Sequence, residues 1–218
     1  MAAAFAVAGT AALGWFYRRD HRRAQARRHG FFDDCRGLLD QAELAQDAID
    51  YPSLSGYYQG HSVELRALAD TIQLRKLPVL WLLVTIHRPI AVHGMLDVMI
   101  RPDNTEYYSH HNNLRDWHAT PPDWPQEAVI RTDDRATTAS LIPPLTPYVA
   151  RFTSGQRGKE IFLSPKGIRL VYRLDESQRG HYLLIRQPLF DCATLERGIA
   201  QELLQLGFDI AHSLDTAQ

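Results

Sequence analysis

The chain has 218 residues, with 24 Lys and Arg against 25 Asp and Glu. A balance this even excludes a global nucleic-acid footprint, and the length suits one domain with a sizeable core behind a terminal segment. Two cysteines, Cys35 and Cys192, with no CxxC pair exclude zinc-ribbon and thioredoxin-like chemistry, and free thiols fit a reducing compartment.

Residues 1–17 read as a membrane anchor. Ala2 to Tyr17 is almost wholly apolar and runs into Arg18 to His29, which holds six arginines and one aspartate. A spanning helix needs about 20 apolar residues, so this one crosses only with local bilayer thinning; a helix lying in the interface is the alternative. Trp15, Phe16 and Tyr17 form an aromatic belt, and Arg18, Arg19, Arg22 and Arg23 hold the following chain on the cytoplasmic side. A cleaved signal peptide would carry its positive charge before the apolar run, not after it. Small residues at every fourth position (Ala4, Ala8, Ala12) would permit close helix packing in lipid. The sequence therefore predicts a single-pass membrane protein whose carboxy-terminal domain is cytoplasmic. Its expected partners are membrane lipid and another membrane protein or complex, with no nucleic acid.

Residues 18–30 form a basic neck, and 31–218 a single α+β domain. Phe31 to Ile49 has helical spacing in Leu38, Leu39, Ala42, Ala45 and Ile49, and Pro52 stops it. A short strand at 56–59 and an alternating strand over Val63 to Asp70 follow. Val79 to Ile86 is a continuous apolar run, read as a central strand covered on both faces. Met95 to Arg101 alternates again. Short links predict that these four strands pair as an antiparallel meander.

Residues 102–153 form a long insertion rich in Pro and Trp, a length associated with function or disorder; Trp117 and Trp124 favour a packed flap. Within it, Ala128 to Thr132 reads as an edge strand and Pro147 to Phe152 as one or two helical turns. Lys159 to Ser164 and Ile168 to Asp175 form a hairpin closed by Ser164-Pro165-Lys166-Gly167, placing Leu163 opposite Ile168 and Phe162 opposite Arg169. Gly180 to Gln187 reads as a third strand. A helix from about Thr194 to Ser213 carries the stripe Leu195, Ile199, Leu203, Leu206 and Ile210. The expected architecture is thus an antiparallel sheet of about seven strands, split four and three, with a helix before it and a carboxy-terminal helix packed on it. In element order alone it resembles a pleckstrin-homology-like barrel.

Chemistry is sparse. His87, His93, His110, His111 and His118, with Asp97 or Asp116, crowd one region, which admits a metal-dependent enzyme as a second alternative. Yet the spacing matches no zinc signature and HExxH is absent, so neither a metal nor a cofactor is assigned. GxSxG is missing as well. Gly155 to Glu160 lacks the spacing of a phosphate loop and reads as a turn. Asp33-Asp34 and Asp133-Asp134 are neighbours whose side chains diverge, so neither is an acid–base dyad. Cys35 has no base to activate it. One binding candidate emerges from register. Arg169 and Arg173 leave the hairpin on the face opposite its apolar side, and the third strand would bring Arg186 beside Arg169. Like charges so placed want an anion or a partner's carboxylates. The sequence thus predicts a non-enzymatic interaction or assembly subunit, with an anion- or lipid-headgroup-binding module as the alternative.

Overall fold

The computed structural model describes residues 28–48, 50–72 and 76–216, together with Trp15, Arg19, Gln25 and Ala26. Most of the anchor and neck, including Phe16, Tyr17, Arg18, Arg22 and Arg23, lies outside the described residues. Trp15 and Arg19 are both helical, with the guanidinium 5.2 Å from the ring centroid. No helix among the described residues is long and apolar enough to cross a membrane.

The domain is α+β, built on one nine-stranded antiparallel sheet in the order β1-β2-β3-β4-β9-β8-β5-β7-β6. The strands are β1 (Asp40–Ala45), β2 (Ser53–Tyr58), β3 (His61–Asp70), β4 (Val79–His87), β5 (Leu96–Ile100), β6 (Asp116–His118), β7 (Ala128–Thr132), β8 (Gly158–Ser164) and β9 (Gly167–Glu176). Among the described residues that follow the first strand, three α-helices accompany them: α1 (Arg135–Thr153), α2 (Arg179–Ile185) and α3 (Arg197–Thr216). The outer strands, β1 and β6, do not pair with each other, so the barrel expected from element order does not close.

Alternation along each strand builds two unequal faces. Leu80, Leu82, Val84 and Ile86 of β4 join Ile168 and Leu170 of β9, Ile161 and Leu163 of β8, and Leu96 and Val98 of β5 in the main core. Helices α1 and α3 cover this face with Leu141, Leu145 and Val149, and with Leu203, Leu206 and Ile210. The sheet and α3 approach closely at Gly207, where a Cβ would stand 2.4 Å from Ile86 Cδ1. On the opposite face Val79, Trp81, Leu83 and Val171 form a smaller cluster packed with Tyr108 from the 101–115 segment. That second cover is why Val79 to Ile86 is apolar at consecutive positions rather than alternate ones.

The sheet has nine strands in one layer rather than the expected split of about seven into four and three, and five further expectations need correction. The segment read as one helix over 31–49 is a 3-10 helix, Gly30–Leu38, followed by β1; Leu39 turns to extended backbone, and Ala45 pairs with Ser53 of β2 instead of continuing a helical stripe. The four-strand meander breaks after β4. Strand β9 takes the place beside β4, from Val79–Glu176 to Ile86–Ile168, and β5 moves away to pair with β7 and β8. The crossover from β4 is fastened to the end of α3 by Asp215, which pairs with Arg88 at 2.6 Å and accepts the N–H of Ala91 at 3.3 Å. Strand β7 lies inside the sheet, since β6 forms the edge. The expected one or two turns near Pro147 belong to the 19-residue α1, which contains Pro143, Pro144 and Pro147. Interior prolines each remove a helical hydrogen bond; burial of Leu141, Ile142, Leu145, Val149 and Phe152 offsets that loss. Finally, Gly180 to Gln187 is not a strand but the short helix α2.

The hairpin register stands as read: Leu163 opposes Ile168 and Phe162 opposes Arg169. The acid pair Asp133-Asp134 is structural. Asp133 accepts the Met95 N–H at 2.5 Å, and Asp134 caps α1 through the Ala136 N–H at 3.0 Å.

Candidate functional site

Two polar constellations lie on the less covered face of the sheet. The first is sealed. Asp97 of β5 and Glu160 of β8 are both fully buried. Ser109 donates to Glu160, and lies 3.4 Å from Asp97 Oδ2. Arg169 Nη2 reaches Glu160 Oε1 at 3.2 Å, and its side chain is only 14% exposed. Burial pushes Glu160 up to about 8, reinforced by the Asp97 charge and opposed by Arg169. Burial likewise raises Asp97, to about 6, against the pull of its hydrogen bond with Glu160 and of Arg169. The two carboxyls therefore share a proton, leaving one negative charge to balance Arg169. His111 Nδ1 lies 3.4 Å from Asp97 Oδ1. Burial, then Arg131, lowers the His111 pKa to about 4, so this imidazole is neutral and the contact is not an ion pair.

Next to it, Glu106 organises the covering segment by accepting the N–H groups of Asp103 and Thr105 at 2.6 and 3.1 Å. Burial favours its neutral form, but the Lys159 ammonium at 2.8 Å and the Asp103 N–H outweigh that and hold its pKa below the usual value. Lys159 also donates to the Arg101 carbonyl at 2.6 Å.

The second constellation is open. A cleft of about 670 Å³ runs between the ends of β4, β5, β8 and β9, the 155–157 turn and α2. Lys76, Arg101, Arg157, Lys159, Arg173, Arg179 and Arg186 line it, against two carboxylates, Asp103 and Glu176. Ion pairs engage part of this charge: Lys76 with Asp103, Lys159 with Glu106, and Arg101 with Glu127. Arg157, Arg173, Arg179 and Arg186 form no ion pair among the described residues. Arg173 Nη2 donates to the Gln156 carbonyl at 3.3 Å, and the Arg186 guanidinium lies 6.0 Å from the Tyr182 ring centroid. The floor is apolar, with Val79, Trp81 and Ile100.

Local sequence sets this geometry. Arg173 opposes Trp81 across the β9–β4 pair, so both stand on the cleft face. Gly158 lets the turn lie against the end of α1, because a Cβ there would meet the Phe152 carbonyl at 2.5 Å. The base of α2 is pinned by three hydrogen bonds: Ser177 N–H to the Pro78 carbonyl, Gln178 N–H to the Leu189 carbonyl and Leu189 N–H to Ser177 Oγ. Arg186 ends the helix in the left-handed region, with φ 59°.

No family model matches the chain, and no curated protein matches it. Among solved structures it is similar to the crystal structure of the mycobacterial trehalose monomycolate transport factor A, TtfA. The TM-score is 0.40 at 10% identity, covering 90% of this chain and 94% of that one. A likeness this distant carries no argument about fold or function.

The arginine triad expected from register divides between the two constellations. Arg173 and Arg186 line the cleft, but Arg169 faces Glu160 in the sealed cluster. The predicted approach of Arg186 to Arg169 falls with the strand that would have produced it. Sequence reasoning missed Arg157 and Arg179. The Gly155-Gln-Arg-Gly158 turn was visible, but its place beside Arg173 depends on the Arg173 N–H bond to the Arg157 carbonyl, at 2.8 Å. Among the described residues, no group of three or more His, Cys, Asp or Glu stands where it could hold a metal ion. Both cysteines are free. Burial and the nearby Asp34 push the Cys35 thiol up to about 11, and its Sγ lies 3.3 Å from the Leu195 carbonyl.

Proposed function

We propose that this protein is a non-catalytic binding module whose basic cleft takes an anionic ligand. The observation that carries this reading is the set Arg157, Arg173, Arg179 and Arg186 around one cleft, without carboxylate partners among the described residues. Guanidinium groups are weakly hydrated and present a planar fork that matches phosphate and carboxylate oxygens. Four of them converging on an apolar floor repel one another, and an anion converts that repulsion into attraction. The lining also favours binding over chemistry: it contains no His, Cys, Ser or Thr, and its Asp103 is held by Lys76. The apolar amino-terminal stretch and its arginines would hold this module at a membrane, with the domain on the cytoplasmic side. There it would serve as an interaction or assembly subunit whose partners are membrane lipid and a membrane protein.

The test is calorimetric titration of the full chain in detergent with inorganic pyrophosphate as the probe, at low and physiological salt. Saturable binding should weaken at least tenfold, about 1.4 kcal/mol, in Arg173→Glu and in Arg157→Glu. No binding at low salt, or equal binding by both variants, would falsify the cleft as an anion site.

A further inference from the structure

Helix α2 carries more than its two arginines. Leu183 is 56% exposed and Leu184 is 87% exposed. They are neighbours on a seven-residue helix that begins at Arg179 and ends before Arg186. Leu189 follows at 40% exposed, held beside the helix base by its bonds to Gln178 and Ser177. Apolar side chains this open, beside a cleft lined by seven Lys and Arg, are costly in water. The element presenting them is also fixed in place. Asp175 Oδ2 accepts the N–H groups of Asp191 and Cys192 at 2.6 and 2.9 Å, and Gln178 Nε2 donates to Asp191 Oδ1 at 2.6 Å.

We infer that α2 and the cleft dock on an anionic lipid bilayer. Leu183 and Leu184 enter the boundary between headgroups and acyl chains, while Arg179 and Arg186 meet lipid phosphates beside them. The inference rests on the cleft being an anion site and names where the anion comes from. A soluble phosphate would use the guanidinium groups and leave Leu184 unexplained, since that residue does not line the cleft. A bilayer uses both features: interfacial elements pair apolar insertion with basic residues at headgroup level. Arginine suits the place because its aliphatic stem runs along apolar surface while its head stays with the phosphates.

The experiment places an environment-sensitive NBD probe at Leu184→Cys in a Cys35→Ala, Cys192→Ser background. The full chain is reconstituted into phosphatidylcholine vesicles with or without 30% phosphatidylglycerol, roughly the anionic share that generates a usable surface potential. A second labelled chain carries the probe at the exposed Glu202 of α3. The probe at 184 should shift to the blue and be quenched by brominated acyl chains only in the anionic vesicles, while the probe at 202 remains aqueous. Adding Arg179→Glu with Arg186→Glu should return the probe at 184 to water. A probe at 184 that stays aqueous in anionic vesicles, enters neutral vesicles equally, or ignores the double charge reversal overturns the docking. Pyrophosphate binding separates the two failures: if it persists while the probe stays aqueous, the cleft reading stands and the bilayer inference alone falls.

Discussion

At the residue scale, three cationic side chains with similar sequence context have opposite roles. Arg169 balances the shared charge of two buried carboxyls, whereas Arg173 and Arg186 face an open cleft. Removing one partner of a buried pair leaves an uncompensated charge. Arg169→Ala should therefore cost about 3 kcal/mol or more of stability, softened where Glu160 takes up a full proton. Arg173→Ala and Arg186→Ala should stay within about 0.5 kcal/mol of wild type, as for other exposed sites. Urea unfolding of the three variants decides it; equal effects would refute the division.

The same cluster sets a pH dependence. Glu160 rises from an ordinary 4.5 to about 8 in the folded state, and Asp97 from 3.8 to about 6. A raised carboxyl keeps its proton when folded after the unfolded chain has released it, so stability is lost as pH climbs through that window. His111 works the other way: its fall from 6.5 to about 4 means that stability is gained as pH rises across that interval. Between about 4.5 and 6 the two carboxyls outweigh the single imidazole and leave a net decline, and between about 6 and 6.5 Glu160 and His111 nearly cancel. Between about 6.5 and 8 Glu160 acts alone, so unfolding free energy should decline with pH there, and Glu160→Gln should flatten the decline. Denaturation midpoints that rise over this range would contradict the proton assignment.

At the scale of elements, legibility followed locality. The β8–β9 hairpin, β3, β4 and the core stripe of α3 were readable because a turn sequence or a hydrophobic period specifies each from within. The position of β5 was not, since nothing in Leu96–Ile100 states which neighbour it takes; β9 of the β8–β9 hairpin occupies the edge of β4 instead. Helix α1 was hidden by its three prolines, whose local penalty is overcome only by burial against α3 and the sheet. Helix α2 was misread as a strand because Leu183 and Ile185, two residues apart in the sequence, would in a strand continue the apolar face of the hairpin, although both Leu183 and Leu184 turn out exposed. Two of the three expected arginines line the cleft despite that error, because Arg173 rests on the hairpin and Arg186 reaches the cleft from α2.

Trp81 tests β4 directly. It is buried, packs 6.1 Å from the Tyr108 ring and forms part of the cleft floor. Trp81→Ala should cost about 3 to 5 kcal/mol, as for other large buried aromatics. It should also weaken pyrophosphate binding by loosening the floor beneath Arg173. A neutral effect on unfolding would mean that the 101–115 segment does not cover this face.

At the scale of the whole molecule, charge is distributed with a direction. A chain that is nearly neutral overall concentrates cations in two places: the neck from Arg18 to Arg28 in the sequence, and the cleft in the fold. If the apolar segment before the neck enters a membrane, the positive-inside bias puts the domain on the cytoplasmic side, the side whose leaflet carries anionic lipid. The cleft would then face its proposed partner at high effective concentration, because a tether turns docking into an intramolecular step. Contact through α2 need only be weak on its own, which fits the small area of two leucines. The measurement that joins these ideas is a topology assay. A reporter fused after Gln218 that functions only in the cytoplasm should be active, and a thiol probe at Leu184→Cys, in a chain lacking Cys35 and Cys192, should be reached by impermeant reagent only after the membrane is opened. A reporter active solely on the far side would put the cleft against the wrong leaflet and remove the membrane-docking inference along with the orientation. The cleft would then be left as a site for soluble anions.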